Sequence, residues 1–271
     1  MRILFVGDIM GRPGRQIAKR AIAALVDRGG IDLVIANVEN AAGGFGVTPE
    51  IADELLGYGI GVMTSGNHIW DKKEALPYIA TEPRLLRPAN FPAGAPGTGR
   101  YVATTAAGER VAVINLMGRV FMTPFDDPFA VALREIEAAR AEARVIVVDM
   151  HAEATSEKMA MGWHLDGRVA AVLGTHTHVQ TADERLLPGG TAYITDVGMT
   201  GPHDSVIGVD RDVALGRFLT GLPARLETAR HGLRFQAVIV TVDARTGRAT
   251  GIERLNLAAQ EVEALAAQAA V

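Results

Sequence analysis

The segment Ile3-Leu4-Phe5-Val6-Gly7-Asp8 sets a pattern that recurs through the first half of the chain. Four consecutive apolar residues predict a strand buried on both faces, which is typical of parallel sheets in α/β proteins. The strand ends at Gly7, and Asp8 is the first polar side chain after it. Apolar residues at helical spacing over 15–27 and a second apolar run over 32–37 repeat the alternation. We therefore expect an α/β fold.

Further elements follow along the chain, around a proline- and glycine-rich loop over 83–99. A helix is predicted to begin near Thr48-Pro49-Glu50, since threonine caps helices and proline suits the first turn. An antiparallel pair over 235–242 and 250–255 precedes an alanine-rich helix. The other predicted elements are a helix over 129–142 and strands over 61–64, 101–105, 111–115, 144–150, 169–173 and 191–195. Without an internal repeat or low-complexity linker, residues 1–271 are expected to form one domain.

Composition excludes several classes of protein and of site. The 271 residues carry 27 basic and 31 acidic side chains, a net charge of −4, so no stable nucleic-acid complex is expected. The absence of cysteine excludes disulfides, zinc–thiolate sites, iron–sulfur clusters and thiol nucleophiles. Any metal must be held by imidazole, carboxylate, amide or water. No apolar run approaches the roughly 20 residues of a membrane span, and the short apolar N-terminus is unlike a signal peptide. We expect a cytoplasmic protein.

Side chains that can bind metals recur directly after the predicted buried strands. In open α/β sheets, the loops beyond the carboxyl ends of the strands line the ligand crevice. Five such loops would therefore bring their polar side chains into one pocket. The candidate ligands and their neighbours are Asp8, Glu39, Asn40, Asn67, His68, His151, His176 and His178.

Each of these residues, taken alone, also has an ordinary structural interpretation. Asp8 can cap a helix or turn, and Glu39-Asn40 can belong to the turn before the glycine-rich loop. In isolation, Gly66-Asn67-His68 is better explained as a tight turn and His151 as a hydrogen-bonded core histidine. His176-Thr177-His178 is the strongest single signal, because alternate residues of an extended segment share a face.

The combination favours a metal site over these separate interpretations. Four of the seven histidines fall at predicted strand ends, beside carboxylate and amide side chains. The remaining histidines lack such neighbours and are interpreted as structural or surface residues; they are His164, His203 and His231. For His203 an alternative stays open, because the segment 198–204 could form a loop over the site.

The order of these residues resembles a known superfamily. Asp8, Glu39, Gly66-Asn67-His68, His151 and Gly174-Thr175-His176-Thr177-His178 follow the motif order of the calcineurin-like metallophosphoesterases. The likeness is closer to the YmdB-like branch of bacterial phosphodiesterases, and it extends from the first strand to beyond residue 200. The segments that carry this closer likeness are 7–14, 37–44, 151–158 and 195–201.

Two positions depart from the broader superfamily and fit the YmdB-like branch. The usual Asp-x-His opening is Asp8-Ile9-Met10, so one histidine ligand is missing. The usual bridging aspartate is Glu39, and the adjacent Asn40 can supply the lost contact.

The resemblance implies a sandwich of two mixed β-sheets flanked by helices, with two divalent or trivalent metal ions. Iron is the first expectation for the metal and manganese the second. A homo-oligomer is also expected. Glu39 would bridge the ions, because a carboxylate has two oxygens and can span two metals whereas a neutral imidazole cannot. The implied ligands are Asp8, Glu39, Asn40 and His178 for metal one, and Glu39, Asn67, His151 and His176 for metal two.

The resemblance also implies a reaction. A hydroxide bridging the metals would attack the phosphorus of a small-molecule phosphodiester, especially a 2′,3′- or 3′,5′-cyclic nucleotide. His68 is the expected general acid, and Glu153 either orients a ligand imidazole or is a plain surface residue. No aromatic platform for a base can be placed, and core packing is the default interpretation of the possible wall residues, which are Phe45, Trp70, Phe121, Phe125 and Trp163.

Several other functions remain open or are disfavoured. The residues themselves do not choose a diester over a monoester, so a phosphomonoesterase or nucleotidase with the same metals is an alternative. A metal-bound regulatory protein with vestigial turnover is another. An amidohydrolase is disfavoured because its His-x-His pair normally ends the first strand. The spacing of Gly7, Gly11 and Gly14 does not match a dinucleotide-binding motif.

Overall fold

The structure, a computed structural model, describes residues 1–269 and contains two β-sheets that pack face to face. In chain order the strands are β1 (Arg2–Val6), β2 (Asp8–Ile9), β3 (Leu33–Asn37), β4 (Val62–Thr64), β5 (Arg100–Thr104), β6 (Arg110–Met117), β7 (Val145–His151), β8 (Ala171–Thr175), β9 (Arg185–Leu186), β10 (Ala192–Ile194), β11 (Met199–Pro202), β12 (Leu233–Asp243) and β13 (Arg248–Ala258). The helices are α1 (Gly11–Asp27), α2 (Pro49–Leu56), α3 (Ala75–Ile79), α4 (Pro128–Arg140), α5 (Thr155–Leu165), α6 (Arg211–Thr220) and α7 (Ala259–Ala269).

Both sheets are mixed, and each contains a block of parallel strands. The first sheet has the order β2-β11-β12-β1-β3-β4, with β13 paired to the other side of β12. Strands β1, β3 and β4 run parallel, while β12 is antiparallel to both β1 and β13. The second sheet has the order β5-β6-β7-β8-β10-β9, in which β6, β7, β8 and β10 are parallel. This confirms the expected α/β sandwich and the late antiparallel pair.

Residues Ile3 to Val6 of β1 are all apolar because both faces of the strand are buried there. Ile3 and Phe5 belong to the apolar layer between the two sheets, together with residues of β7 and β8. Leu4 and Val6 point the other way, into a second apolar layer shared with α1 and α2. Successive side chains of a strand alternate between faces, so a strand between two layers needs no polar position.

The predicted helices differ from the observed ones where the sequence lacks regularly spaced apolar residues. Helix α1 begins at Gly11 rather than at residue 15, and α5 and α6 were not predicted at all. The buried face of α5 includes the charged residues Glu157 and Lys158, and Ala214 is the only buried residue of α6. Neither helix therefore shows the apolar periodicity by which amphipathic helices are recognised. Within residues 1–269, no helix is both long and apolar enough to cross a membrane.

The topology places five loops at one end of the sandwich. Strands β1, β3 and β4 run parallel in one sheet, and β7 and β8 run parallel in the other. The polypeptide leaves these five strands through the segments that carry the candidate ligands. The site is therefore built between the carboxyl ends of two packed sheets.

Candidate metal centre

The five loops bring the predicted ligand residues into contact. Asp8 follows β1, the Glu39–Asn40 turn follows β3, and Asn67 lies in the turn after β4. His151 is the last residue of β7, and the segment containing His176 and His178 follows β8. Asp8, Glu39 and His151 are fully buried, while Asn67 and His176 are partly buried.

Asp8, Asn40 and His178 each use one polar side-chain atom in a hydrogen bond within the protein. The second polar atom of each side chain is left free. Asp8 accepts a hydrogen bond on Oδ2 from the backbone N–H of His176 at 3.2 Å, and its Oδ1 has no hydrogen-bond partner. Asn40 donates from Nδ2 to the Gly44 carbonyl at 2.9 Å, which leaves its buried Oδ1 without a partner. His178 donates from Nδ1 to the carbonyl of Ile207 at 2.9 Å, and its Nε2 lies 3.7 Å from Asp8 Oδ1.

Glu39 is next to Asn40 in sequence, and its carboxylate lies beside His151. Its Oε2 accepts a hydrogen bond from the backbone N–H of His68 at 3.0 Å. Its buried Oε1 takes no hydrogen bond of acceptable geometry, although His151 Nε2 is only 3.0 Å away. The donor atoms of Glu39, His151 and His176 all lie within 4.8 Å of one another, as ligands of one ion would.

A hydrogen bond at Nδ1 orients the imidazole of His151. Its Nδ1 lies 2.9 Å from the hydroxyl of Thr175, which itself donates to Asp149 Oδ1 at 2.7 Å. Because that hydroxyl proton is already used, the Thr175 oxygen accepts from Nδ1–H, and the lone pair falls on Nε2. Nε2 faces Asn67 Oδ1 at 3.1 Å as well as Glu39 Oε1. A neutral imidazole held this way presents a lone pair among oxygen atoms.

These donor atoms fit metal ions. Free oxygens on Asp8, Glu39 and Asn40 are buried without partners, which is costly unless something positive satisfies them. Both His151 and His178 use Nδ1 for a hydrogen bond and direct Nε2 to the site, an arrangement typical of metal-binding histidines. The set is carboxylate, amide and imidazole, which suits iron, manganese or zinc.

The charges of His151 and Glu39 stabilise each other within the site. Burial works against the charged forms of His151 and Glu39, but their mutual attraction outweighs it. The pKa of His151 is raised to about 9, and the pKa of Glu39 is lowered to about 2. Burial and the neighbouring charge of His151 lower the pKa of His176 to about 3. Burial raises the pKa of Asp8.

The predicted extended conformation of His176-Thr177-His178 is wrong. Strand β8 ends at Thr175, and both histidines have positive φ, 97° for His176 and 62° for His178. The left-handed conformation is strained for non-glycine residues and is found most often at functional sites. The two imidazoles therefore reach the site through a tight loop, not through the alternation of a strand.

A cleft of about 280 Å³ opens beside the ligands, and the imidazole of His68 is one of its walls. His68 is partly exposed, and its Nδ1 lies 2.8 Å from Asp71 Oδ2. Its ring packs edge-on against Phe45, with 5.1 Å between the ring centroids. The site also includes Glu153, whose half-exposed carboxylate lies 3.2 Å from His176 Nε2.

The remaining aromatic and histidine candidates lie elsewhere. Of the possible wall residues, Phe45 lines the cleft, whereas Trp70 and Phe125 pack around Phe91. Phe121 and Trp163 are exposed away from the cleft. None of the remaining histidines lines the cleft either, and these are His164, His203 and His231.

A buried polar network that the sequence did not predict lies next to the candidate ligand residues. Asp149 lies inside apolar strand β7 and accepts hydrogen bonds from Thr64, Thr175 and Asn37. Asn37 also accepts from the backbone N–H of Glu39 at 3.2 Å and so fixes the start of that turn. The signal in the sequence was a polar residue among apolar strand residues, within β7 for Asp149 and at the end of β3 for Asn37, because buried polar groups need specific partners.

Gly66 permits the close approach of His151 to the turn after β4. A Cβ atom at this position would clash with the imidazole of His151. Sequence reasoning treated this glycine only as a turn residue. Its role is to let the ring lie against the backbone beside Asn67.

Comparison with known proteins gives consistent matches over almost the whole chain. A family model of YmdB-like proteins matches residues 4–255. The 2′,3′-cyclic-nucleotide 2′-phosphodiesterase of Bacillus subtilis is 50% identical over 256 residues, which cover 94% of this chain and 96% of that protein.

Two crystal structures give equally broad matches. A hypothetical protein from Thermus thermophilus is 43% identical, with a TM-score of 0.89 over 95% of this chain and 99% of that one. A phosphatase from Mycoplasma pneumoniae is 34% identical, with a TM-score of 0.88 over 95% of this chain and 93% of that one. The chain therefore belongs to the YmdB-like family, has the metallophosphoesterase fold, and is an enzyme of the phosphoric ester hydrolase class.

Proposed function

We propose that this enzyme is a metal-dependent phosphodiesterase that hydrolyses 2′,3′-cyclic nucleotides at a centre of two metal ions. The observation that carries the proposal is the set of free donor atoms around one cleft. Unpartnered oxygens of Asp8, Glu39 and Asn40 lie beside the inward-facing ring nitrogens of the histidines, and His68 lines the same cleft.

The ligands divide into two groups that share Glu39. Asp8, Asn40 and His178 would hold one ion together with Glu39. Asn67, His151 and His176 would hold the other, again with Glu39. Iron is the first candidate and manganese the second, since both accept imidazole and oxygen ligands. When bound, the two ions would neutralise phosphate charge and lower the pKa of a coordinated water.

Hydrogen bonds within the protein orient the side chains that would hold the ions. Hydrogen bonds behind Asp8, Asn40 and His178 fix which atom of each faces the centre. No lysine or arginine is among the residues lining the cleft. Neutralisation of the reacting phosphate therefore depends on the ions themselves.

His68 is proposed as the general acid. Its Nδ1–H donates to Asp71, so Nε2 is the ring nitrogen left to exchange a proton with the substrate. In the reaction, the oxygen of a water forms a bond to phosphorus while the bond from phosphorus to the 2′ oxygen breaks. His68 delivers its proton to that 2′ oxygen and recovers a proton from the attacking water by way of solvent. The product carries a 3′-phosphate.

The choice of substrate is supported by the cleft and by one relative. A volume of about 280 Å³ is close to the lower end of small-molecule sites and suits a single nucleotide. The Bacillus subtilis relative, named as a 2′,3′-cyclic-nucleotide 2′-phosphodiesterase, is 50% identical to this chain. The volume of the cleft does not separate the two isomeric cyclic forms, so the preference for the 2′,3′-cyclic form is supported by this relative.

The test is hydrolysis by protein of defined metal content. Protein stripped with a chelator is reloaded with Fe²⁺ or Mn²⁺ and given 2′,3′-cyclic AMP or 3′,5′-cyclic AMP. We expect adenosine 3′-phosphate from the first substrate, separated by chromatography from the 2′ isomer, and no activity before reloading. Fully reloaded protein that leaves 2′,3′-cyclic AMP intact would contradict the proposal.

A phosphomonoesterase is the second candidate, because the Mycoplasma pneumoniae structure is named as a phosphatase. Comparing bis-aryl phosphate with mono-aryl phosphate under the same metal conditions separates the two activities. We expect faster hydrolysis of the diester. The homo-oligomer expected from the resemblance stays a prediction, which sedimentation velocity tests.

A further inference from the structure

We propose that the enzyme acts on short oligoribonucleotides that end in a 2′,3′-cyclic phosphate, and that a basic surface outside the cleft binds their preceding phosphodiesters. This inference rests on the proposed function, because it extends the substrate of the same site. The surface consists of Arg12, Arg225 and Arg230, and we refer to it as the arginine shelf.

The arginine shelf is continuous with the cleft. Leu226 lines both the cleft and a neighbouring depression of about 640 Å³, and Gly44 of the cleft is next in sequence to Gly43 of that depression. All three arginines line this depression. It shares Arg12 and Gln16 with a further depression of about 860 Å³ along α1. A chain leaving the cleft past Leu226 therefore passes directly over the shelf.

The shelf carries positive charge that the protein does not neutralise. Within the described part of the chain, none of its three arginines forms an ion pair or a side-chain hydrogen bond. All three are exposed, and Glu227 is the only acidic residue lining the same depression. By contrast, most of the arginines that line the depression along α1 are paired with carboxylates. There Arg15 pairs with Glu54 at 3.2 Å and Arg20 with Glu263 at 3.4 Å.

The depression along α1 continues the positive surface along one face of that helix. Arg12, Arg15, Lys19 and Arg20 occur at helical spacing, and the axial distance from Arg12 to Lys19 is about 10 Å. Lys19 lies over the ring of Tyr58, 5.4 Å from its centroid. Much of this charge is already paired, so we assign the main binding role to the shelf beside the cleft.

The position of the arginines indicates a ligand with more than one phosphate. The cleft contains no arginine or lysine, so a cyclic mononucleotide would place its single phosphate away from the shelf. Guanidinium groups bind phosphate through paired hydrogen bonds and are favoured for nucleic-acid backbones. A ligand that fills the cleft and also needs the shelf must carry further phosphodiesters. The net charge of −4 argues against stable nucleic-acid complexes but not against a transient, salt-sensitive substrate contact.

The experiment compares two substrates that share their reacting end. Metal-loaded enzyme is given uridine 2′,3′-cyclic phosphate or a short oligouridylate with the same terminal cyclic phosphate. We expect the oligonucleotide to have a kcat/KM at least about tenfold higher at low salt. With three phosphates neutralised, the slope of about −0.7 per phosphate predicts up to a roughly 20-fold loss of shelf binding from about 50 to 200 mM salt, so the two kcat/KM values should become nearly equal at 200 mM.

The triple variant Arg12→Gln/Arg225→Gln/Arg230→Gln tests the shelf itself. It should abolish the preference for the oligonucleotide while changing hydrolysis of the mononucleotide less than about twofold. The matched control is Arg134→Gln/Arg168→Gln/Arg245→Gln, which removes the same charge from exposed positions that do not line these depressions. The control should retain the preference.

Two outcomes would overturn the inference and leave the proposed function intact. They are equal kcat/KM values for the two substrates, and a triple variant that lowers both values equally. Failure of the proposed function would instead appear as no hydrolysis of either substrate. In that case fluorescence anisotropy with a labelled, 3′-phosphorylated oligouridylate still tests the shelf. Equal binding by the wild type and the triple variant would refute it.

Discussion

Lys158 donates from Nζ to Asp196 Oδ2 at 2.7 Å, and both side chains are buried. The same carboxylate oxygen accepts from the backbone N–H of Thr177 at 3.1 Å and from its hydroxyl at 2.7 Å. Thr177 is the residue between His176 and His178. A buried ion pair outside the ligand set therefore holds the loop that presents both histidines.

The substitution Asp196→Asn should destabilise the protein and loosen this loop. It leaves the ammonium group of Lys158 buried without its counter-charge, which costs about 3–5 kcal/mol. Urea unfolding of metal-free protein measures the loss. The control Arg211→Gln breaks an exposed pair with Asp212 and should leave the stability almost unchanged. Equal stabilities of the two variants would contradict the role of the pair.

The substitution His68→Ala should keep both metals and lose most turnover. Loss of a general acid typically lowers the rate by about 10²–10⁴-fold, whereas His68 contributes no ring nitrogen to the ligand groups. Elemental analysis and kcat for 2′,3′-cyclic AMP are measured on the same samples. Asp71→Asn should lower kcat less, because it leaves the imidazole in place but removes the charge that orients it. The exposed His231→Ala serves as control, and loss of metal from His68→Ala with retained activity would show the assignment to be wrong.

The substitution Glu39→Ala should cost more metal than Asn40→Ala. Glu39 is proposed to be shared by both ligand groups, while Asn40, whose buried Oδ1 is free, is proposed to belong to one of them. We expect Glu39→Ala to lose both ions and Asn40→Ala to retain close to one. Inductively coupled plasma mass spectrometry of the purified variants gives the metal content per chain. The same content in both would argue against Glu39 as a shared ligand.

The stability of the metal-free protein should fall as the pH rises from about 6.5 to 9. The pKa of His151 is raised from 6.5 to about 9, so the stability that its protonated form contributes is complete below 6.5 and is lost as pH rises through 9. Asp149, whose pKa burial raises from 3.8 to about 7, acts in the same direction, but its contribution is lost between pH 3.8 and about 7 and so mostly below this range. Glu39 has a lowered pKa of about 2, and its contribution is lost only as pH falls below 4.5.

Thermal unfolding in chelator across this pH range measures the effect. Metal-loaded protein is the control, because a histidine that binds metal is already neutral and has no proton to lose. Its Tm should change much less over the same range. A Tm in chelator that stays constant or rises between pH 6.5 and 9 would contradict the proposed charge on His151.

Strand ends were the most predictable part of the site. Asp8 and Glu39 could be identified because apolar runs marked β1 and β3, and polar residues that follow parallel strands meet at one sheet edge. The fold was predictable for the same reason, since buried parallel strands are apolar without interruption. The His-x-His spacing pointed to His176 and His178, but the extended conformation predicted for them was wrong.

The supporting residues were harder to predict because their partners are distant in sequence. Lys158 lies on the buried face of α5, where a charged residue contradicts the apolar spacing of a helix. Only the folded chain shows that Asp196 neutralises it and binds the histidine loop. Asp71 likewise has no pattern of its own, and it acquires a role because the turn after β4 places it beside His68.

The central claim is that two ions bind between the carboxyl ends of the two sheets. Anomalous scattering from crystals of manganese-loaded enzyme tests it most directly. The account predicts two peaks about 3.5–4 Å apart, both next to Glu39, one facing Asp8 and His178 and the other facing His151 and His176. Full manganese loading with no peak beside Glu39, or with the peaks at other side chains, would contradict it.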